Sequence, residues 1–435
     1  MKFLLITYSY SPDLTPRAFR WSAIANQFAE MGHQVHVLCA SSSNIPETNN
    51  NIQVFRIKDW LLNASIKVSG TEKINRQNSN TIRELFSLSI KKFVRVIWRA
   101  MYWPDYACGW IIPASMSGLK LCQLHKYDWI ISVSHPFSGH LVGLNCLKKN
   151  KISRWLVDIG DPFTMMNEPS PNNNFIYHRI NYYYENKILN KSNAVTVTTD
   201  ATQSVYEKEF PDLINKVSVI NPLLSLPKIS PTLIKNEHSS KRMVFVGTLY
   251  KNLRSPHFLL ECLSALKALL NNVNLEMHFF GLSENCNEEL EIAKRTLGAS
   301  LIVHGLKDRE TVMQAMMNAD ILVNIGNASK SQLASKVIEY ISIGKPILNL
   351  ITIEDDLSKH LLQNYPSKLT VISSVDGPSK NDIKLICDFI LDSKPAPYEI
   401  VQVMIEEYKI EKITQKYLNI LKQFPENANE NLEVK

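Results

Sequence analysis

Apolar residues along this chain follow two alternating patterns: short continuous runs, then stretches where they return every three or four positions. Lys2–Ile6 is the first run, a buried strand candidate. A loop with Pro12 and Pro16 follows. Phe19, Ala23, Ile24, Phe28 and Met31 then share one side of a helix predicted from about Arg17 to Met31, closed by Gly32-His33. Val35–Cys39 reads as the next strand, with others at Val54–Ile57, Trp129–Val133, Trp155–Val157 and Val195–Thr198 and helical stretches between most of them. The polar segment from about Asn63 to Asn80 interrupts the pattern as a surface insertion.

The stretch NPLLSLPKISPT, with Pro222, Pro227 and Pro231, reads as a linker. Alternation then restarts. Strands are predicted at Met243–Val246, Leu275–Phe279, Leu301–Val303, Ile321–Val323 and Pro346–Leu350. Helices are predicted at Pro256–Leu270, near Glu288–Leu297, at Arg309–Asn318 and at Leu333–Ile343. The predicted organisation is a first domain over 1–220, a linker over 221–240, a second domain over 241–397, and a helical tail over 398–424 packing back across both. Two series of β-α units imply an α/β fold of two Rossmann-like, doubly wound domains facing a cleft. Ligands of such sheets bind beyond the carboxyl ends of the strands.

Composition narrows the class. With 435 residues, 45% hydrophobic and 20% charged, the chain has material for more than one core, which excludes a disordered tail, a coiled coil or a collagen-like repeat. No stretch approaches the roughly 20 apolar residues that span a bilayer. The start MKFLLITYSYSPD breaks too early for a signal peptide and reads as a first strand. Seven scattered cysteines without a CxxC pair suggest neither a disulfide framework nor a zinc site, and fit a reduced cytosol. No metal site is expected. There is no GxGxxG and no GxxxxGK[ST], so a dinucleotide oxidoreductase and a P-loop nucleotidase are poor readings. Residues 1–220 hold 24 Lys+Arg against 16 Asp+Glu, and the remainder 24 against 25, so the positive excess lies in the first half and favours an anionic partner there. With a modest net charge and no recognition motif, nucleic acid is not expected as a partner.

Two segments carry chemistry. ADILVNIGNASKSQLASKVIEYISIGKPILNL (319–350) reads strand, loop, helix, turn, strand. Ser335 and Lys336 lie near the start of its helix, where free N–H groups favour an anion. Glu339 follows Lys336 by three residues on nearly the same face. Together they suit a diphosphate and a ribose diol; read alone, they are more often a surface ion pair on an ordinary helix. VFVGTLYKNLRSPHFLLECLSAL (244–266) shifts that balance. Gly247 permits close backbone approach to a ligand, and Lys251 and Arg254 offer cations from the same loop.

In layout and motifs the chain resembles the GT-B glycosyltransferases. Specifically, it is similar to retaining family four (glycosyl transferases group one), in the bacterial branch with SK-x-x-EY and GTLY-x-x-x-R-x-P. The resemblance covers most of the chain: PRAFRWSAIANQFAEMGHQVHVL, PDYACGWIIPA (104–114), IISVSHPFSGHLVG (130–143), WLVDIGDPF (155–163) and INPLL (220–224) match successive stations. It implies that Arg254 and Lys336 bind the donor diphosphate and that Glu339 binds the ribose; with two cations aimed at the phosphates, no metal or cofactor is expected. It also implies that Asp161 and His135 or His140 lie near the sugar or acceptor. Three departures concern sugar orientation. Ser331 replaces the first Glu of the Glu-x7-Glu pattern, Thr15-Pro16-Arg17 replaces Gly-Gly, and Gly160-Asp161-Pro162-Phe163 replaces Arg-Asp-Pro-Trp.

Simpler readings stand beside these. Asp161 before Pro162 suits a turn, His135 before Pro136 a structural role, and His140 helix packing. Arg17 and Arg20 either close over phosphate or lie on a solvated face. In 83–102, an apolar arc including Phe93 and Trp98 opposes Lys91, Lys92, Arg95 and Arg99, which suits an anionic membrane or an internal helix with a solvated side. The expected activity is sugar transfer from a nucleotide-diphosphate sugar to a glycan or lipid-linked acceptor at the inner face of a bacterial membrane. A nucleotide-sugar epimerase and a non-catalytic two-lobed nucleotide-binding protein are the alternatives.

Overall fold

The computed structural model describes residues 1–13, 15–40, 51–61, 102–149, 154–166, 170–224, 240–270, 273–283, 286–330, 333 and 336–424. The chain divides into two units, Met1–Asn221 with Ile410–Lys435, and Pro222–Lys409.

In the first unit, seven parallel strands lie in the order β3-β2-β1-β4-β5-β6-β7. They are β1 (Lys2–Ile6), β2 (Gln34–Ala40), β3 (Ile52–Ile57), β4 (Trp129–Val133), β5 (Arg154–Asp158), β6 (Ala194–Val197) and β7 (Val217–Val219). β1, β4 and β5 are buried almost throughout, which explains why they read as continuous apolar runs rather than alternations. Helices α1 (Pro16–Glu30), α2 (Ile111–Leu124), α3 (Ser138–Lys149), α4 (Asn174–Lys191) and α5 (Asp200–Glu209) connect them. Thr15 caps α1 by accepting the Ala18 N–H, and Pro16 occupies the first turn, where no N–H partner is lost. α2, α3 and α4 bury Trp110, Ala114, Leu141, Val142 and Ile188 against one face of the sheet.

The second unit repeats the plan with six parallel strands in the order β10-β9-β8-β11-β12-β13. These are β8 (Ser240–Val246), β9 (Asn274–Phe280), β10 (Leu301–Gly305), β11 (Ile321–Ile325), β12 (Ile347–Ile351) and β13 (Lys368–Ile372). Its helices are α6 (His257–Leu269), α7 (Asn287–Leu297), α8 (Arg309–Met317), α9 (Lys336–Ile343), α10 (Leu357–Leu361), α11 (Lys380–Asp392) and α12 (Tyr398–Ile405). α6, α7 and α11 pack on one face, and α8, α9 and α12 on the other. The pattern alone did not find β7 or β13. β7 spans only three residues, and β13 (KLTVI) is half-exposed over most of its length.

The tail is not one helix. After α12 it makes a short 3-10 turn at Glu406–Tyr408 and restarts as α13 (Ile410–Lys422). α12 belongs to the second unit, against α9; α13 belongs to the first, against α1. There Trp21 and Tyr417 stack at 5.2 Å. Both sheets reverse their winding between the first and fourth strands of their own series, β1/β4 and β8/β11. Beyond the carboxyl ends at such a point lies the natural ligand crevice of an open α/β sheet.

Candidate functional site

Four neighbouring strands of the second sheet end in glycine: Gly247 after β8, Gly281 after β9, Gly305 closing β10 and Gly326 after β11. At two of these, close approach requires it. A Cβ on Gly281 would collide with the Gly247 carbonyl, and one on Gly326 with Oδ2 of Asp356.

Arg254 reaches the switch point of this sheet through a tight loop. Tyr250 and Arg254 exchange both backbone hydrogen bonds, at 3.1 and 2.9 Å, which turns the guanidinium back over Gly247. Its Nη2 donates to Oδ1 of Asn327 at 2.6 Å and Nη1 to the Thr248 carbonyl at 3.4 Å; its Nε has no partner. The loops after β8 and β11 are thus joined by one side chain whose hydrogen-bonding capacity is not filled. Burial lowers the Arg254 pKa from its ordinary value, opposed by Tyr340, Tyr250 and Asp356. Asp356 sits beside it, 3% exposed, with its pKa raised by burial against hydrogen bonds from Ser358 and the charge of Arg254. Oδ1 of Asp356 caps α10 through the Ser358 N–H at 2.8 Å, while Oδ2 is unpartnered.

Lys336 opens α9, and its Nζ donates to Oε2 of Glu339 at 2.7 Å. Oε1 of Glu339 faces Nη2 of Arg309 at 3.8 Å, so the carboxylate lies between two cations. α9 is anchored by the next residue. Tyr340 is buried, and its hydroxyl accepts the Val246 N–H at 2.8 Å, fixing the helix to the end of β8. The expected pairing of Lys336 with Glu339 is therefore present, on a rigid support, in the same unit as Arg254. Lys251 is exposed on the Tyr250–Arg254 loop. Ser335 and Ser331 lie outside the described residues. A surface depression of about 480 Å³ between Pro366–Lys368 and Asp388–Pro397 lies at the amino end of β13, away from these strand ends.

In the first unit, the centre of the polar network is Asp158, the last residue of β5 and 1% exposed. It accepts from Tyr417 (2.6 Å), Thr196 (2.8 Å), Trp21 Nε1 (3.0 Å) and Arg17 Nη1 (3.4 Å). Arg17 then lies over Gly160, where a Cβ would overlap the guanidinium. Arg20, buried, donates to the carbonyls of Asn221 and Ile220 and to Tyr417, so it is a structural residue of this unit. Asp161 is exposed just past the end of β5. His135 is half-buried past the end of β4, its ring 5.7 Å from that of Tyr106. Asp105 pins this corner by accepting from Ser138 N and Oγ and from Ala107 N.

His140 does not reach a ligand-facing position. It is 1% exposed, with Nδ1 2.8 Å from Ser132 Oγ. That hydroxyl also accepts Trp155 Nε1 at 2.8 Å, and His140 Nε2 has no hydrogen-bond partner. Burial pushes its pKa down to about 3, which keeps it neutral. His140 is buried in the core, in keeping with the helix-packing reading of its position. Asp158, Tyr417, Asn327 and Asp356 were not found from sequence. For Asp158 the only signal was a polar residue at the end of an apolar strand, which turns produce as often.

Among the described residues, no group of three or more His, Cys, Asp or Glu is arranged to hold a metal, and no helix is long and apolar enough to cross a membrane. No family model and no curated protein matches the chain. Solved structures do. Anabaena Alr3699/HepE in complex with UDP-glucose is 13% identical, with a TM-score of 0.62 over 98% of this chain and 100% of its own. OtsA in its apo form is 13% identical, with a TM-score of 0.63 over 98% and 99%. WaaG, a glycosyltransferase involved in lipopolysaccharide biosynthesis, is 11% identical, with a TM-score of 0.54 over 97% and 98%. The fold is that of the two-domain, Rossmann-like GT-B structures.

Proposed function

We propose that this chain is a GT-B glycosyltransferase whose second unit binds a nucleotide-diphosphate sugar and whose more basic first unit binds the acceptor. The observation that carries the reading is Arg254 bonded to Asn327 at the switch point of the second sheet, in the unit that also pairs Lys336 with Glu339. The likeness to a structure solved with UDP-glucose supports a nucleotide-sugar as the donor. Transfer breaks the bond from the anomeric carbon to the diphosphate and forms one to an acceptor hydroxyl oxygen. Negative charge collects on the diphosphate as it departs, and one of its oxygens takes the proton of the acceptor hydroxyl. Arg254 and Lys336 stabilise that charge where it develops, in a partly desolvated site, the role a metal fills elsewhere. Glu339 takes the ribose hydroxyls once the diphosphate draws Lys336 away. Asp161 and His135 serve the sugar or the acceptor in this reading, and Arg17, held by Asp158, assists them. In this reading the reaction retains anomeric configuration without cofactor or metal, and the acceptor is a glycan or lipid-linked precursor of a surface polysaccharide on the cytoplasmic side of the membrane.

The test is incubation with a panel of nucleotide-diphosphate sugars, with and without lipid-linked and soluble glycan acceptors, in the presence of a chelator. Transfer that survives chelation and keeps anomeric configuration by NMR supports the reading. Conversion of the nucleotide-sugar without any acceptor identifies an epimerase instead. Complete, metal-reversible loss of transfer in chelator means that the leaving group is handled by a metal.

A further inference from the structure

The loops that leave β8, β11 and β12 meet around one buried carboxyl. The backbone after β11 is fixed on both sides: the Ala328 N–H donates to the Leu253 carbonyl at 2.9 Å, and the Gly326 N–H to the Leu350 carbonyl at 2.7 Å. Asn327, between them, is buried and holds Arg254. Asp356, from the loop after β12, packs its carboxyl against the α-carbon of Gly326, in the space that a Cβ would need. Its Oδ1 accepts the Ser358 N–H at 2.8 Å and the Ser358 hydroxyl at 2.6 Å. Its Oδ2 and the Nε of Arg254 are both buried without a hydrogen-bond partner.

Capping α10 accounts for one oxygen of Asp356 and leaves the other. A neutral Ser, Thr or Asn would cap as well without burying a charge. What the second oxygen adds is negative charge beside Arg254, and the two groups lie within each other's field. The other charged groups around Asp356 are engaged or turned outward. On its own loop, Glu354 and Asp355 are exposed and paired with Lys359 and Lys330. His360 on α10 and Lys251 on the Arg254 loop are exposed. From α9, Glu339 lies between Lys336 and Arg309, and burial keeps the Tyr340 hydroxyl protonated. Asp356 is thus the buried carboxyl that answers Arg254.

A diphosphate arriving at Arg254 brings a second anion into this pocket. A like charge nearby favours the protonated form of a carboxyl, all the more in a buried one. We propose that Asp356 is the resident counter-charge of Arg254: it balances the guanidinium in the free protein and takes up a proton from solvent as a diphosphate takes over that role. The inference rests on the donor site proposed above and assigns its pH dependence. It is independent of the 83–102 segment read from the sequence, of which residues 83–101 lie outside the described residues. Because binding raises the pKa of Asp356, affinity is greatest below its value in the free protein. Affinity then falls, by about tenfold per pH unit at most, until the pH passes the value in the complex.

The experiment is calorimetric titration of the full-length protein with UDP, ADP and GDP, the tightest being followed from about pH 5 to about pH 8 in buffers of differing ionisation enthalpy. Wild type, Asp356→Asn and Ser358→Ala are compared, with circular dichroism reporting folding. The phosphates titrate alike in all three, so the ratio of affinities isolates Asp356. Asp356→Asn should bind about tenfold more tightly than wild type at the upper end, converge with it at the lower end, and take up fewer protons. Ser358→Ala, which removes a hydrogen bond to the charged carboxyl, should move the wild-type pH dependence upward. A purely structural cap predicts the reverse, weaker binding by Asp356→Asn at every pH. Equal or weaker binding by folded Asp356→Asn throughout, or equal proton uptake by the two proteins, would overturn the assignment and leave the donor site standing. If Asp356→Asn does not fold, an unshifted pH dependence in Ser358→Ala overturns it. If wild type binds none of the three diphosphates, the donor site falls and this assignment with it.

Discussion

Arg17 lies across the bare α-carbon of Gly160 and points its Nη1 at Asp158, so the two residues explain one another. The guanidinium fills the space that a side chain at position 160 would take, and Gly160 leaves it room.

Gly160→Ala should therefore act through Arg17. The obstructed atoms are the far end of a flexible side chain, so the guanidinium swings aside, and the cost in stability should stay below about 1 kcal/mol. The substitution should lower the specificity constant for acceptor as much as Arg17→Ala does, and the double variant should be no worse than either. Additive losses in that cycle would show that Gly160 acts independently of Arg17.

Tyr417 and Asp158 are 259 positions apart in sequence and 2.6 Å apart in space. Tyr417→Phe removes the hydroxyl that bonds a buried carboxylate and receives Arg20, which should cost about 1–3 kcal/mol in chemical denaturation. The loss should fall on the first unit, because α13 packs there. Limited proteolysis should cut first within Met1–Asn221; earlier cleavage within 240–409 would contradict this.

Much of the architecture was legible, because buried parallel strands announce themselves as apolar runs such as FLLI, WIISV and ILVNI. The Lys336–Glu339 pair was legible because helical spacing puts residues three apart on one face. What was not legible depends on distant meetings. Nothing in WLVD marks Asp158 as the acceptor for side chains from α1, β6 and α13. Nothing in GNASK marks Asn327 as the support of Arg254. For His140 the sequence offered helix packing beside a place near the sugar or acceptor, and its burial against Ser132 and Trp155 is a meeting of distant elements.

Two buried histidines predict the acid limb of the stability curve. Burial lowers His140 to about 3 and His36 to about 4, while both titrate near 6.5 when unfolded. Between those values the unfolded chain binds protons that the folded one does not, so stability is complete above about pH 6.5 and falls with acidification, by about 1.4 kcal/mol per pH unit for each group. His140→Gln should flatten that slope measurably between pH 6 and 4. An unchanged slope would mean that His140 is protonated in the folded protein.

The most direct test of the donor site is calorimetric titration of nucleoside diphosphates and monophosphates, UDP and UMP among them, in a metal-free buffer containing chelator. Wild type should bind the diphosphate of its preferred nucleoside more tightly than the monophosphate. Arg254→Ala and Lys336→Ala should each weaken the diphosphate about tenfold or more, the scale of one charge-assisted hydrogen bond, and change the monophosphate far less. Asn327→Ala, which only frees Arg254, should give a smaller loss of the same kind. Glu339→Gln should weaken both ligands together, because it acts on the ribose they share. If no nucleoside diphosphate binds, or if folded Arg254→Ala and Lys336→Ala bind it as wild type does, the assignment of these residues to a diphosphate site is wrong.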